Sequence, residues 1–208
     1  MRRTYTGRTD DRHGDAVSGT VIAILAAGAA SRMRGGDKML EEVRGRPLLR
    51  LVAERALGTG APVAVTLPPD RPARHRALAG LDVERAVVAD ASEGMGASMR
   101  AVAGLARGRA AMIVLADMPE IETGDMAAIL SAAEEMPGRI VRAASEDGRP
   151  GQPVLFPAAI VPELALLSGD EGARRLLRGR EVVACPLPGR RALVDLDTPE
   201  DWAAWRAR

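Results

Sequence analysis

The sequence predicts an α/β fold: a single doubly wound, mainly parallel sheet with helices on both faces. One observation is alternation, in which short, apolar, largely β-branched runs at 21–25, 63–67, 83–89 and 111–115 alternate with longer helical patterns at 47–57, 97–105 and 125–135. Strands spaced this way form βαβ units, and their crossover helices cover both faces of the sheet. The other is capacity: 208 residues, 47% of them apolar, suffice for one domain with a full core. Residues 1–19 are charged, Gly-containing and aperiodic, so a disordered leader is expected there and one domain over 20–208. Arg2 and Arg3 ahead of an apolar run imitate a secretory signal, but Asp10, Asp11 and Asp15 spoil its positive start.

Taken in order, the strand at 21–25 ends in Ala26-Ala27-Gly28 and an Arg/Gly-rich loop, ahead of the helix at 47–57. The strand at 83–89 is followed by Asp90 and then Ser92-Glu93-Gly94-Met95-Gly96-Ala97-Ser98, which opens the helix at 97–105. Asp117-Met118-Pro119 follows the strand at 111–115. Ligands of such sheets bind outside the carboxyl ends of the strands, so these three loops are expected to meet along one crevice. The later chain is less regular, with a short strand at 151–156, a helix opened by 169–174 and a short strand at 192–196. Thr198 as N-cap with Pro199 in the first helical position starts the final helix.

Composition excludes several classes. The formal charge is +1 with acids and bases interspersed, and aromatics are only 2%, so neither a nucleic-acid footprint nor a stacking platform is present. Cys185 is alone, and with only His13 and His75 beside it there is no disulfide framework and no zinc cluster. No apolar run reaches the ~18 residues of a membrane span, and cytoplasm is the expected location. Any recognition of anions must therefore be local. The chain carries 29 basic residues, of which Lys38 is the only lysine, and it sits in the loop after the first strand. A compact ammonium fits among phosphate oxygens where a planar guanidinium does not. Gly28, Gly35 and Gly36 let backbone amides approach a ligand, while Arg32 and Lys38 supply charge for a polyphosphate. The loop matches neither the P-loop nor the dinucleotide-binding pattern.

Leu25-Ala26-Ala27-Gly28-x-x-Ser31-Arg32-Met33, followed by Lys38-x-Leu40, resembles the signature of nucleotidyltransferases that activate small phosphorylated molecules. Within that group the chain resembles the molybdenum cofactor cytidylyltransferases. The segments Glu93-Gly94-Met95 with Ser98-Met99-Arg100, Leu115-Ala116-Asp117-Met118-Pro119, Gly151-Gln152-Pro153-Val154-Leu155-Phe156, Gly169-Asp170-Glu171-Gly172-Ala173-Arg174 and Val194-Asp195-Leu196-Asp197-Thr198-Pro199-Glu200-Asp201 follow in family order. Arg34 stands where the family usually has Gly, and Gln152 where it usually has His.

The resemblance implies a Rossmann-like nucleotidyltransferase fold and in-line attack by an acceptor phosphate on the α-phosphorus of CTP, with release of pyrophosphate. It implies that Lys38 and Arg32 hold the triphosphate and that Asp117, with Asp197 or Asp195, binds Mg²⁺; two residues apart on a strand, those last two would face the same way. It places Leu25, Ala26, Ala27, Gly28, Glu93, Gly94 and Ser98 on the nucleotide and Gln152, Asp170 and Arg174 on a molybdopterin-type acceptor. A molybdenum hydroxylase or its chaperone is the implied protein partner. Ala27, where guanylyltransferase relatives carry Gly, is read as lying against the base and favours CTP over GTP, although Gly35-Gly36-Asp37-Lys38 is nearer to those relatives. The residues alone leave other readings open: Asp117 as a helix cap ahead of Glu122, Ser98 as a plain helix residue and Asp195 as a cap of the last helix. A sugar-phosphate nucleotidyltransferase and a non-catalytic nucleotide-binding chaperone for molybdenum enzymes are the rival functions.

Overall fold

The computed structural model describes residues 19–169 and 172–208; the expected leader and Asp170 lie, but for Gly19, outside the described residues. Its main sheet has seven strands in the order β5-β4-β1-β6-β8-β7-β9. These are β1 (Thr20–Leu25), β4 (Val63–Leu67), β5 (Glu84–Val87), β6 (Ala110–Leu115), β7 (Ile140–Ala144), β8 (Pro150–Phe156) and β9 (Val182–Pro186), while β2 (Glu42–Val43) and β3 (Arg46–Pro47) form a separate antiparallel pair. β1 lies parallel to both β4 and β6, and β4 parallel to β5. β8 runs antiparallel to β6 and to β7, which makes the sheet mixed beyond β6.

Period-two alternation assigns the strand side chains to opposite faces. Ile22 and Ile24 of β1, with Met112 and Val114 of β6, join the core that includes Leu48, Leu49, Val52, Ala53 and Ala56 of α1 (Leu48–Leu57). The same core takes Met126 and Ile129 of α4 (Thr123–Glu135) and Trp202 of α6 (Pro199–Arg206). Val21, Ala23 and Leu25 with Ala111 and Ile113 join the opposite core, built with Met99, Val102 and Leu105 of α3 (Met95–Ala106) and Leu176 of α5 (Arg174–Leu177). Helices on both faces are thus a direct consequence of strands that are apolar on both sides.

Differences from the sequence reading fall in the later chain. The strand expected at 192–196 is absent: Arg191–Leu193 form a 3-10 turn and the chain then runs irregularly into α6. Asp195 and Asp197 therefore do not share a strand face. The helix expected after Gly169 is only four residues long, Arg174–Leu177. α2 (Pro72–Ala77), β7, β9 and the small hairpin are further elements. β7 and β9 reach a partner on the sheet in register, and α2, with Pro72 at its start, is only a turn and a half long.

Candidate active site

β1 is the strand where the order of the sheet reverses, since the chain first builds outward through β4 and β5 and then crosses back to β6 on the other side. A crevice opens at the carboxyl ends of strands at such a point. Ala26 stays in the sheet frame, its N–H donating to the Thr66 carbonyl at 3.1 Å, and Ala116 just past β6 donates to the Leu25 carbonyl at 3.3 Å. Beyond Ala26 the loop leaves the sheet. Ala30 (φ 54°) and Arg34 (φ 50°) are both left-handed and bracket a 3-10 turn at Ser31–Met33, which buries Met33 in the core. A residue with a Cβ pays roughly 1–2 kcal/mol for that conformation, and a glycine does not. Arg34 thus holds a backbone conformation that a glycine adopts without that cost.

Lys38 follows, buried, with its Nζ donating to Asp117 Oδ2 at 2.6 Å and to Asp197 Oδ1. Arg32 Nη1 reaches the other Asp197 oxygen at 2.8 Å. Burial alone would pull the Lys38 ammonium down, but Asp117 and then Asp197 outweigh it, so its pKa stands above the ordinary value. Asp117 comes from the end of β6, and Leu196 donates to its carbonyl at 3.0 Å, which brings the 194–198 segment against the same strand end. Asp117 is not a helix cap: Glu122 occupies that position in α4, with Asp125 accepting its N–H at 2.9 Å. The buried Asp117 Oδ1 has no hydrogen-bond partner among the described residues.

These groups open on a cavity of about 540 Å³ lined by Leu25, Gly28, Arg32, Lys38, Gly94, Ser98, Asp117 and Asp197, together with Ala29, Ala30 and Met95. Ser98 is buried in α3. A second cavity, of about 680 Å³, shares Arg32, Met95 and Leu115 with the first and is lined by Arg142, Gln152, Arg174, Arg175, Arg178 and Asp195. Gln152 Oε1 is buried there without a hydrogen-bond partner. Burial and then the charges of Asp117 and Asp197 push the Asp195 carboxyl up. Among the described residues no group of three or more His, Cys, Asp or Glu side chains forms a metal cluster; the acidic centre is the Asp117–Asp197 pair.

Three expected positions differ. Glu93 pairs with Arg100 at 2.7 Å and does not line the cavity, although its neighbours Ser92 and Gly94 do; Arg100, which also binds Asp90, draws it off. Ala26 is fully buried and lines neither cavity; its carbonyl accepts from Arg74 at 2.6 Å. Ala27 packs against Val88 and Ala97 and borders a third, smaller cavity of about 310 Å³ with Pro68, Pro69, Asp70 and Arg71. Missed in the sequence were Arg142, Arg175, Arg178 and Arg74, arginines without local distinction in an arginine-rich chain.

A family model described as the MobA-like NTP transferase domain matches residues 22–185. The chain is 36% identical over 164 residues to the nicotine blue oxidoreductase of Paenarthrobacter nicotinovorans, covering 74% of this chain and 79% of that protein. It is 31% identical over 187 residues to the molybdenum cofactor guanylyltransferase of Pseudomonas syringae pv. syringae, covering 86% and 89%. Among solved structures, Rv0371c of Mycobacterium tuberculosis H37Rv superposes with a TM-score of 0.79 at 26% identity, covering 92% of this chain and all of that one. A crystal structure of Rv0371c in complex with manganese gives 0.72 at 25% identity, covering 90% and 97%. With the mixed sheet, the loop after β1 and the matched residues 22–185 all in agreement, this chain belongs to the MobA-like NTP transferase domain family, the nucleotidyltransferases of the MobA type.

Proposed function

We propose that the protein is a cytidylyltransferase that joins CMP from CTP to the phosphate of a molybdopterin-type acceptor. An acceptor phosphate oxygen attacks the α-phosphorus, the bond from that phosphorus to the bridging oxygen of the β-phosphate breaks, and pyrophosphate leaves. The observation that carries this reading is the Lys38–Asp117–Asp197 cluster, which lines one cavity sized for a nucleotide and is tied through Arg32, a residue of both cavities, to another rimmed by guanidinium groups. Lys38 and Arg32 are the cations for the triphosphate, with Leu25, Gly28, Gly94 and Ser98 around the nucleotide. Gln152 and Arg174 serve the acceptor, whose pterin amide would satisfy the unpartnered Gln152 carbonyl. In phosphoryl-type transfers the protein mainly positions groups and neutralises charge.

The residues fit a divalent cation: two carboxylates are a suitable donor set for a hard ion that retains water and phosphate ligands, and Asp117 Oδ1 is buried without a partner. Asp117 and Asp197 would hold Mg²⁺, which would supply neutralisation of the triphosphate charge. The manganese complex of the similar Rv0371c supports a divalent site. For the base, the reading rests on Ala27, where guanylyltransferase relatives carry Gly: it lies outside the lining of the first cavity and borders the 310 Å³ one, which shares Ala29, Ala91 and Ser92 with the first, and a methyl there leaves less room than a glycine. The guanylyltransferase relative is the reason to test GTP beside CTP.

The test is pyrophosphate release with Mg²⁺, molybdopterin and either CTP or GTP. CTP is expected to be the better substrate, because a wrong base leaves buried polar groups unpaired. GTP matching or beating CTP assigns guanylyl transfer instead, and no release with either moves the protein to the non-catalytic nucleotide-binding reading. Asp117→Asn is expected to keep the fold and lose about 10²-fold or more in turnover. A folded variant with ordinary Mg²⁺ dependence would remove Asp117 from the metal.

A further inference from the structure

Arg74 lies on α2, outside both cavities, and its side chain is fully buried. A buried guanidinium is costly unless every face of it is used. Here it donates to the carbonyls of Ala26 at 2.6 Å and Gly28 at 2.7 Å, and bidentately to Asp37 at 2.8 and 2.9 Å. Arg71, one turn earlier, donates to the Ala29 carbonyl at 3.2 Å. Asp37 also accepts the N–H of Met39 at 3.1 Å, so the same carboxylate spans Lys38. One guanidinium therefore ties the start of the loop, at 26–28, to its end at Asp37.

The consequence for the backbone follows from peptide planarity. In a trans peptide the N–H points opposite to the C=O. With the carbonyls of Ala26, Gly28 and Ala29 turned onto Arg74 and Arg71, the N–H groups of Ala27, Ala29 and Ala30 point the other way. Among the described residues, the amides of Ala29 and Ala30 donate to no acceptor within the protein, and both residues line the cavity that holds Lys38. Backbone donors are rarely left without partners, and successive amides directed into a concavity form an anion site.

We propose that Arg74 is a positioning residue that, with Arg71, turns the 28–30 backbone so that the Ala29 and Ala30 amides face the phosphates of the bound nucleotide, while fixing Asp37 beside Lys38. This role rests on the nucleotidyltransferase reading. Lysine cannot substitute, because four acceptors in a fork need the planar guanidinium.

The full-length Arg74→Lys and Asp37→Asn variants test it through three readouts: amide hydrogen exchange over 27–38, KM and kcat for nucleotide and acceptor separately, and thermal melting. Both variants are expected to exchange faster in the loop while β1 and β4 stay protected. kcat/KM for the nucleotide is expected to fall on the order of 10²-fold, with the acceptor KM unchanged. A drop in melting temperature with unchanged loop exchange and nucleotide kinetics overturns the proposal and leaves Arg74 a structural residue. If Arg74→Lys does not fold, Asp37→Asn decides: unchanged nucleotide KM and loop exchange overturn the proposal. Should the unaltered protein turn over no triphosphate, the functional reading fails, while loop exchange in the variants still tests the positioning.

Discussion

Lys38 is compact charge in a closed space, touching a carboxylate on each of two segments distant in sequence. A guanidinium brings a wider, planar group into the same gap and cannot reach both carboxylates from one point. Lys38→Arg is therefore expected to fold but to lose roughly 10²-fold in kcat/KM, and a fully active Lys38→Arg enzyme would show that charge alone suffices. Lys38→Ala differs from the loss of a surface lysine: it leaves Asp117 without its cation in a largely buried position, while Asp197 keeps Arg32. A cost of about 3 kcal/mol is expected by denaturant unfolding. Lys38 could be found from the sequence because it is alone among the cations, and Asp117 because it ends a buried strand. Arg74 could not, because what marks it is its burial and its partners at 26, 28 and 37, none of them near it in the chain.

Among the elements, α6 carries Asp197 into the site through its cap. Thr198 accepts the Asp201 N–H at 3.1 Å, while Asp201 accepts from the Thr198 hydroxyl at 2.7 Å and the Thr198 N–H at 2.8 Å. The Asp197 N–H donates to the same carboxylate at 3.2 Å, so the box that starts the helix also orients the preceding acid. The Thr198 hydroxyl and these backbone donors hold the Asp201 pKa below its ordinary value. A carboxylate with a lowered folded pKa adds stability that is present above its unfolded pKa of about 3.9 and disappears as pH falls through the lower folded value. Asp201→Asn is therefore expected to be less stable than the unaltered protein near pH 6, with the difference shrinking toward pH 2; urea midpoints across that range check it. A constant difference would show that the charge at 201 is irrelevant to the cap. Thr198, Pro199 and Asp201 signal the helix locally, which is why its start is readable in the sequence. The strand expected at 192–196 is instead a 3-10 turn and an irregular run, in which contact with Asp117 and the core buries Val194 and Leu196.

Across the whole molecule, two cavities meet at Arg32, Met95 and Leu115, the first touching the end of β1 and the second lying against β7 and the antiparallel β8. β8 has no room at Gly151: a Cβ there would collide with the Ala192 carbonyl oxygen, so the 191–193 turn lies directly on the strand that carries Gln152. Because Arg174 lines only the second cavity and is exposed, Arg174→Ala is expected to change stability by about 0.5 kcal/mol or less and to raise the acceptor KM while leaving the nucleotide KM in place. Steady-state kinetics with each substrate varied in turn check this, and an equal rise in both constants would merge the two cavities into one site.

Local information is legible in the chain before it folds. Apolar runs of strand and helix period specify the β1–β6 half of the sheet, caps and Pro199 specify helix starts, and a lone lysine with an acid at a strand end marks the chemistry. Packing selects Asp197 rather than Asp195 for Lys38, pairs Glu93 with Arg100, sets Ala27 beside a cavity that Lys38 does not line, and gathers arginines from β7, α5 and the residues after it around one space. The physical reason is the same in each case: which charge meets which depends on chain segments as many as 165 residues apart, and loop-borne side chains carry no period that would reveal their direction.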